Sequence, residues 1–250
     1  MKLLVCGKGG SGKSTVVALL AREIASRENK VLVIDSDESN IGLHNRLGMQ
    51  KPEDFMNYFG GKKVLFEKTK ELKDKWELDD LPGDYLAEKG NIQLLSMGKI
   101  YQFGEGCACP INVLSSKFLE IIDIGDKEFL IADTDAGIEH FGRGVEKGVD
   151  IIFVIIDPSR ESVLLAEKVS ELGRQLDKPV YYILNRVTDP ETEKLLLNSV
   201  DKEKVVAVIL EDKEIFIAGL AGSEFNMDIK GIKDIADMLE SVKKTKTKAE

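Results

Sequence analysis

The nine residues Gly7-Lys8-Gly9-Gly10-Ser11-Gly12-Lys13-Ser14-Thr15 follow a short apolar run and carry the densest chemistry in the chain. Gly7, Gly12, Lys13 and Ser14 fit G-x-x-x-x-G-K-[ST], while Gly7, Gly9 and Gly12 also fit the dinucleotide fingerprint G-x-G-x-x-G. Asp35 ends the second apolar run, where a dinucleotide fold would place its ribose-binding acid. The chemistry separates the two patterns. A dinucleotide loop uses its third glycine for close helix–strand packing and has no use for the Lys-Ser pair that follows. In a phosphate loop, Lys13 bridges the terminal phosphates and Ser14 ligates Mg²⁺. Backbone N–H groups from Gly9, Gly10, Ser11 and Gly12 through Thr15 cradle the oxygens. Two further acidic segments favour the phosphate loop. Ile131-Ala132-Asp133 ends a strand with a carboxylate suited to a Mg²⁺ shell, and Gly137 shortly after it offers an N–H to a γ-phosphate. Ile34-Asp35-Ser36-Asp37 places two more carboxylates at a strand mouth.

The elements that must position these groups alternate. Strands are expected at Leu3 to Cys6, Lys30 to Asp35, Ile92 to Ser96, Phe129 to Asp133, Ile151 to Ile156, Val180 to Asn185 and Lys204 to Ile209. Several are almost unbroken Val, Ile and Leu, which marks strands covered by helices on both faces of a parallel sheet. Helices are expected at Ser14 to Arg27, Asn112 to Ile124, Glu161 to Gln175 and Glu191 to Asn198. The βαβ repetition gives an α/β fold, a doubly wound, mainly parallel sheet flanked by helices, with ligands beyond the carboxyl ends of the strands. Residues 51–90 depart from it. Charged residues make up 18 of these 40, and Leu65, Leu72 and Trp76 share one helical face, so a charged helical insertion into a single 1–250 domain is expected there. Ile229, Ile232, Ala236, Leu239 and Val242 follow helical spacing, as a closing helix packed on the sheet would.

The second lysine of the loop, Lys8, narrows the comparison. The run Lys8-Gly-Gly-Ser-Gly-Lys13-Ser resembles the deviant Walker A of the MinD/ParA/nitrogenase iron protein class of P-loop NTPases. Asp35-x-Asp37 and Asp133-Thr-x-Ala-Gly137 resemble its two switch regions. The resemblance implies that Lys8 contacts nucleotide across a dimer interface and that Asp37 positions the attacking water. It also implies that Asp35 and Asp133 organise the hydrated Mg²⁺. Asn185-Arg186 follows a strand, as a base-contacting N-[KR] pair does. Guanine selection needs an acid at the fourth position of that motif, which here is Thr188, with Asp189 one residue late. The class resemblance therefore implies ATP, with ADP as product.

Cys107-Ala-Cys109-Pro110 lies between an expected strand and helix. Two thiols at that spacing can bind one soft ion, whereas a disulfide between them closes a strained ring. A buried or redox-active pair is the alternative. Two thiolates fill half of a tetrahedral site, and a symmetric partner would supply the rest. With the deviant Walker A upstream, this Cys-x-Cys resembles the CooC-type ATPases that support nickel insertion into carbon monoxide dehydrogenase. That resemblance implies a homodimer, dependent on nucleotide and metal, holding Ni²⁺ or Zn²⁺ at Cys107 and Cys109, with carbon monoxide dehydrogenase as client. Two other readings compete. A [4Fe–4S] reductase of the iron protein kind would need a further cysteine after the second switch, and there is none. A positioning ATPase of the MinD/ParA kind would share the nucleotide machinery but needs no Cys-x-Cys. Cys6 reads as a core thiol, and His44 and His140 as weak metal-ligand candidates.

Composition bounds the partners. In 250 residues, 35 Lys and Arg stand against 44 Asp and Glu, a formal charge of −9. That balance argues against general nucleic-acid binding, which needs clustered cations. No run approaches the ~20 apolar residues of a membrane span, so no stable membrane insertion is expected. Three cysteines in a chain of this length fit a reducing cytoplasmic setting. The N-terminal run leads straight into the glycine loop, unlike a secretion signal.

Overall fold

Why the first strand forms is visible in its residues: β1 (Lys2–Gly7) contains Leu3, Leu4, Val5 and Cys6, all fully buried. The computed structural model describes residues 1–62, 64–65, 75–101, 109–135 and 145–247. Eight strands form one sheet: β1, β2 (Lys30–Asp35), β3 (Leu86–Lys89), β4 (Ile92–Ser96), β5 (Glu128–Asp133), β6 (Ile151–Ile156), β7 (Val180–Val187) and β8 (Val205–Leu210). Their order across the sheet is β3-β4-β2-β5-β1-β6-β7-β8. All neighbours run parallel except the edge pair β3–β4.

Alternation along each strand feeds two cores. Leu4, Leu32, Ile34, Leu130, Ile152 and Val154 face one side, with α3 (Cys109–Ile121), α4 (Arg160–Gln175) and α5 (Pro190–Ser199). Leu3, Val5, Val33, Ile131, Phe153 and Ile155 face the other, with α1 (Lys13–Ser26) and α7 (Lys230–Thr247). Ile232, Ile235, Ala236 and Leu239 of α7 are buried, and Arg27, the C-cap of α1, pairs with Asp237 and Glu240 across the contact. The C-terminal helix therefore spends its apolar face on packing. Among the described residues no helix is long and apolar enough to cross a membrane.

Two short helices and one strand go beyond the expected elements. α2 (Leu43–Arg46) follows β2, and α6 (Lys213–Ala221) follows β8, capped by the Asp212 carboxylate and ended by Gly222 at φ +62°. The third addition is β3, so the segment expected as a helical insertion ends in a strand. Its described residues also include 3-10 turns at Phe55–Phe59, Leu78–Asp80 and Gly83–Tyr85, and Leu65 is helical. Leu65 and Trp76 are buried as their spacing suggested, while Leu72 lies outside the described residues. Phe55 holds this segment down: its ring centroid lies 5.3 Å from Phe59, 5.4 Å from Phe118 of α3 and 6.0 Å from Trp76. The Trp76 backbone bonds to the end of α3, through Ile121 O and Asp123 N.

Phe55→Ala removes a fully buried ring from the centre of that aromatic cluster. It is expected to lower unfolding free energy by about 3–5 kcal/mol. Urea denaturation followed by Trp76 fluorescence checks this, with the midpoint falling and the transition at Trp76 tracking the loss.

Candidate functional site

Sheet order places the site. β5 lies between β1 and β2, so the carboxyl ends of the three strands are adjacent. Asp133 stands in register with Val5 on one side and with Asp35 on the other. The glycine loop leaves β1 here and turns into α1. Gly7, Gly10 and Gly12 take φ values of +152°, +81° and +96°, which side chains rarely adopt. Gly12 is the N-cap of α1, and neither a capping side chain nor a first-turn acid neutralises the helix start. Its free N–H groups and the positive end of the dipole form an anion-binding end. Lys13 is buried beside it and reaches back to the Lys8 carbonyl at 3.5 Å.

The loop is held from behind by β7. Asn185 Nδ2 donates to Ser11 O at 2.7 Å, and Arg186 Nη1 donates to Gly10 O at 2.8 Å. A Cβ on Gly12 would lie 2.3 Å from Asn185 Nδ2, so glycine is required by contact as well as by φ. Both residues also line a cavity of about 380 Å³ with Thr15, Arg46, Leu210, Phe216 and Phe225. The pair expected to contact a base thus fixes the phosphate loop, and the cavity beside it is walled in part by α6.

The acids crowd together in a buried place. Asp133 is fully buried and neither carboxylate oxygen has an aligned hydrogen-bond partner. Burial pushes its pKa up to about 6, with Ser14 and Lys13 only partly offsetting this. Burial likewise pushes Asp35 up to about 7, against the pull of Lys99 and with Asp133 adding to the rise. Lys99, 1% exposed, is the counter-charge: its Nζ lies 2.7 Å from Asp35 Oδ1 and donates to Asp37 O at 2.5 Å. Asp37 Oδ1 closes a turn by accepting from Ser39 N, Ser39 Oγ and Asn40 N. Asn40 Nδ2 donates to Ser14 Oγ at 2.6 Å, tying this acidic loop to the phosphate loop. A buried Asp133 carboxylate without an aligned partner, with Asp35 and the Ser14 hydroxyl close by, suits a hard, oxygen-seeking divalent cation such as Mg²⁺.

Lys8 points elsewhere. Its Nζ donates to Ser159 Oγ at 2.9 Å and lies 3.6 Å from Asp157 Oδ2. Burial raises the Asp157 carboxyl, but hydrogen bonds from Ser159 and Ser162 and the charge of Lys8 outweigh it and hold the group below the usual range. Cys109 opens α3 and is partly exposed. Cys107, Gly137 and His140 lie outside the described residues. Cys6 is buried, donates weakly to Phe153 O, and has its pKa pushed up to about 12 by burial, as a core thiol would. His44 is partly buried with a lowered pKa, from burial and then from Lys51 and Lys99.

Lys99, Asn40 and the Asp157–Ser159 pair carry no motif, and sequence reading missed their part in the site. Only the rule that acids at strand ends need counter-charges points to Lys99, and it does not say which lysine.

A glycine loop ending a central parallel strand, a bare helix start, a buried lysine and adjacent acidic strand ends define a P-loop nucleotide hydrolase. Residues 3–225 match the CobQ/CobB/MinD/ParA nucleotide binding domain. The chain belongs to that family and is an ATPase of its class. It is 51% identical to an uncharacterized ATP-binding protein of Methanocaldococcus jannaschii over 248 residues, 96% of this chain and 99% of that one. It is 33% identical to the carbon monoxide dehydrogenase accessory protein CooC of Rhodospirillum rubrum over 231 residues, 89% of this chain and 88% of that one. Its fold resembles that of the septum site-determining protein MinD complexed with Mg-ADP from Pyrococcus horikoshii, with a TM-score of 0.68 at 18% identity, covering 96% and 95% of the two chains.

Because the folded-state pKa of Asp133 is raised, the folded protein holds a proton that the unfolded chain has released between about pH 4 and 6. Without nucleotide or divalent cations, the contribution of Asp133 to stability therefore falls as pH rises through that window. Asp133→Asn has no such proton to lose, so its stability relative to the unsubstituted protein is expected to be greater at pH 8 than at pH 5. Denaturant titrations of both proteins in EDTA at the two pH values measure the difference.

Proposed function

We propose that the chain is a nucleotide-dependent dimerising ATPase, one domain from 1 to 250, that handles Ni²⁺ or Zn²⁺ in the maturation of a carbon monoxide dehydrogenase. The observation that supports this reading is how residues 97–101, which precede the cysteine pair in the chain, are tied to the acidic loop. The chain leaving β4 is bonded to the acidic loop at successive points: Met97 N to Asp35 O, Lys99 Nζ to Asp37 O and Ile100 N to Glu38 O. Tyr101 OH then donates to Asp54 at 2.8 Å, and eight residues later Cys109 begins α3. A change at these acids thus reaches residues 97–101, which precede the thiols in the chain. The likeness to CooC over most of the chain supports the same assignment.

In this reading Lys13 and the N–H groups from Gly9 to Thr15 hold the phosphates, with Gly137 completing the γ-phosphate end. Ser14, Asp35 and Asp133 would hold Mg²⁺, which would neutralise phosphate charge. Asp37 orients the attacking water. Lys8 leaves Asp157 and Ser159 to reach the partner's nucleotide. A partly exposed pair of this kind is worth about 0–1 kcal/mol, so the exchange is readily driven by a triphosphate. Among the described residues no group of three or more His, Cys, Asp or Glu is arranged to hold a metal. Cys107 and Cys109 supply two thiolates, and four from two copies complete a tetrahedral soft-metal site. ATP then favours the paired state, and hydrolysis to ADP relaxes it and releases the ion to its client.

Native mass spectrometry of protein loaded with a non-hydrolysable ATP analogue and Ni²⁺ tests the reading. The expected species is two chains, two nucleotides and one metal ion. Cys107→Ala/Cys109→Ala is expected to keep nucleotide and lose the metal. Unchanged metal stoichiometry in that variant rejects the thiol site, and a single chain with nucleotide bound rejects dimerisation.

A further inference from the structure

We propose that Arg46 is a direct ligand of the nucleotide, with its guanidinium on the α-phosphate between the magnesium acids and the base cavity. The inference rests on the nucleotide lying at the glycine loop, and adds a cationic residue that no motif in the sequence marks.

The position of Arg46 is fixed by its backbone. It ends α2, its N–H donates to Gly42 O at 3.3 Å, and its carbonyl accepts from Phe225 N at 2.9 Å. The guanidinium carbon lies 5.9 Å from the centroid of the Phe225 ring, so the plane of the group has a wall on one side. Nε and Nη1 are nonetheless buried and have no hydrogen-bond partner. A guanidinium carries five donors in a rigid fork and stays charged in proteins, so two buried donors without acceptors point to an acceptor the chain does not itself supply. Planar forks of this kind match phosphate oxygens.

Two further observations give the location. Arg46 lines the cavity of about 380 Å³ together with Thr15, the last residue of the phosphate loop, and with Asn185 and Arg186 behind that loop. The same group feels the charges of Asp133 and Asp35, which lie at the phosphate end. A side chain that faces the base cavity and is also within reach of both acids' fields sits where the α-phosphate links the two ends of a nucleotide. Gly42 makes room for it: a Cβ there would come within 2.9 Å of Arg46 Nη1. The neighbouring cation Arg186 is already bonded to Gly10 O, which leaves Arg46 as the arginine of this cavity with buried donors to offer.

Fluorescence titration of Mg-ADP and of each Mg-ADPαS diastereomer tests this on the full chain, Arg46→Met and Arg46→Lys. Methionine keeps the contact with Phe225 and removes the charge. Arg46→Met is expected to weaken ADP binding about tenfold or more, the range for a hydrogen bond to a charged group. The unsubstituted protein is expected to discriminate between the two α-thio diastereomers, and Arg46→Met to lose most of that discrimination. Arg46→Lys is expected to recover part of the affinity but not the discrimination. Equal ADP affinity in Arg46→Met overturns the proposal. So does a weaker affinity with diastereomer discrimination unchanged, which assigns Arg46 to the shape of the cavity alone. If the unsubstituted protein does not bind ADP, the nucleotide reading itself fails, and that arm shows it independently of either variant.

Discussion

Two carboxylates in register at the ends of neighbouring parallel strands, both withdrawn from water, are the constraint around which the rest of this molecule is arranged. Asp35 and Asp133 face each other because β2 pairs directly with β5, and the two-sided burial of the sheet leaves them little solvent. Isolated buried charges of one sign are costly, and proteins meet that cost with counter-charges or with protons. Both are present. Lys99 is drawn into the core to pair with Asp35, Lys13 stands near Asp133, and both acids hold their protons more tightly than usual. A site with this balance is prepared for a dication and a polyphosphate together, since each supplies charge that the other needs.

The same constraint explains why the flanking loops are so closely tied. Lys99 cannot satisfy Asp35 from a loose chain, so the stretch after β4 is laid along the stretch after β2. Met97, Lys99 and Ile100 bond in turn to Asp35, Asp37 and Glu38. Asp54 extends the tie outward by accepting from Ser96 Oγ, Lys99 N and Tyr101 OH. The aromatic cluster around Phe55 then anchors Asp54 to the helix that begins at Cys109. Electrostatics at the strand ends therefore sets the packing of a segment well away from them.

How much of this was legible in the residues follows from what each pattern encodes. Strands buried on both faces write themselves as unbroken Val, Ile and Leu, and the positions expected for β2, β4 and β6 match the observed ones. Edge strand β3, Leu-Ala-Glu-Lys, has no such run because one side of it meets solvent. α6 was missed for a related reason: Phe216, Ile217 and Leu220 are exposed, so its apolar residues do not fall on one buried stripe. The glycine loop and the acids were legible because their chemistry demands fixed spacing along the chain. Lys99, Asn40, Asp157 and Arg46 reach the site through folding alone, and separations in the sequence say nothing of it. Asn185 was legible as a member of the site, but its bond to Ser11 O belongs to tertiary structure.

Lys8 shows how the rigid and adjustable parts divide. The acids are locked by backbone register and a buried ion pair, which are expensive to disturb. Lys8 instead rests on Asp157 and Ser159 through contacts that remain partly open to water. Its partners are themselves secured, since Asp157 also accepts from Ser162 and Ser159 caps α4. Moving Lys8 thus breaks two weak contacts and leaves no buried charge stranded, whereas moving Lys99 would leave Asp35 unpaired in the core. A chain that has to rearrange around a triphosphate can release the first lysine at small cost while the second holds the strand ends in place. That asymmetry makes Lys8 easy to displace without loosening the sheet beneath it.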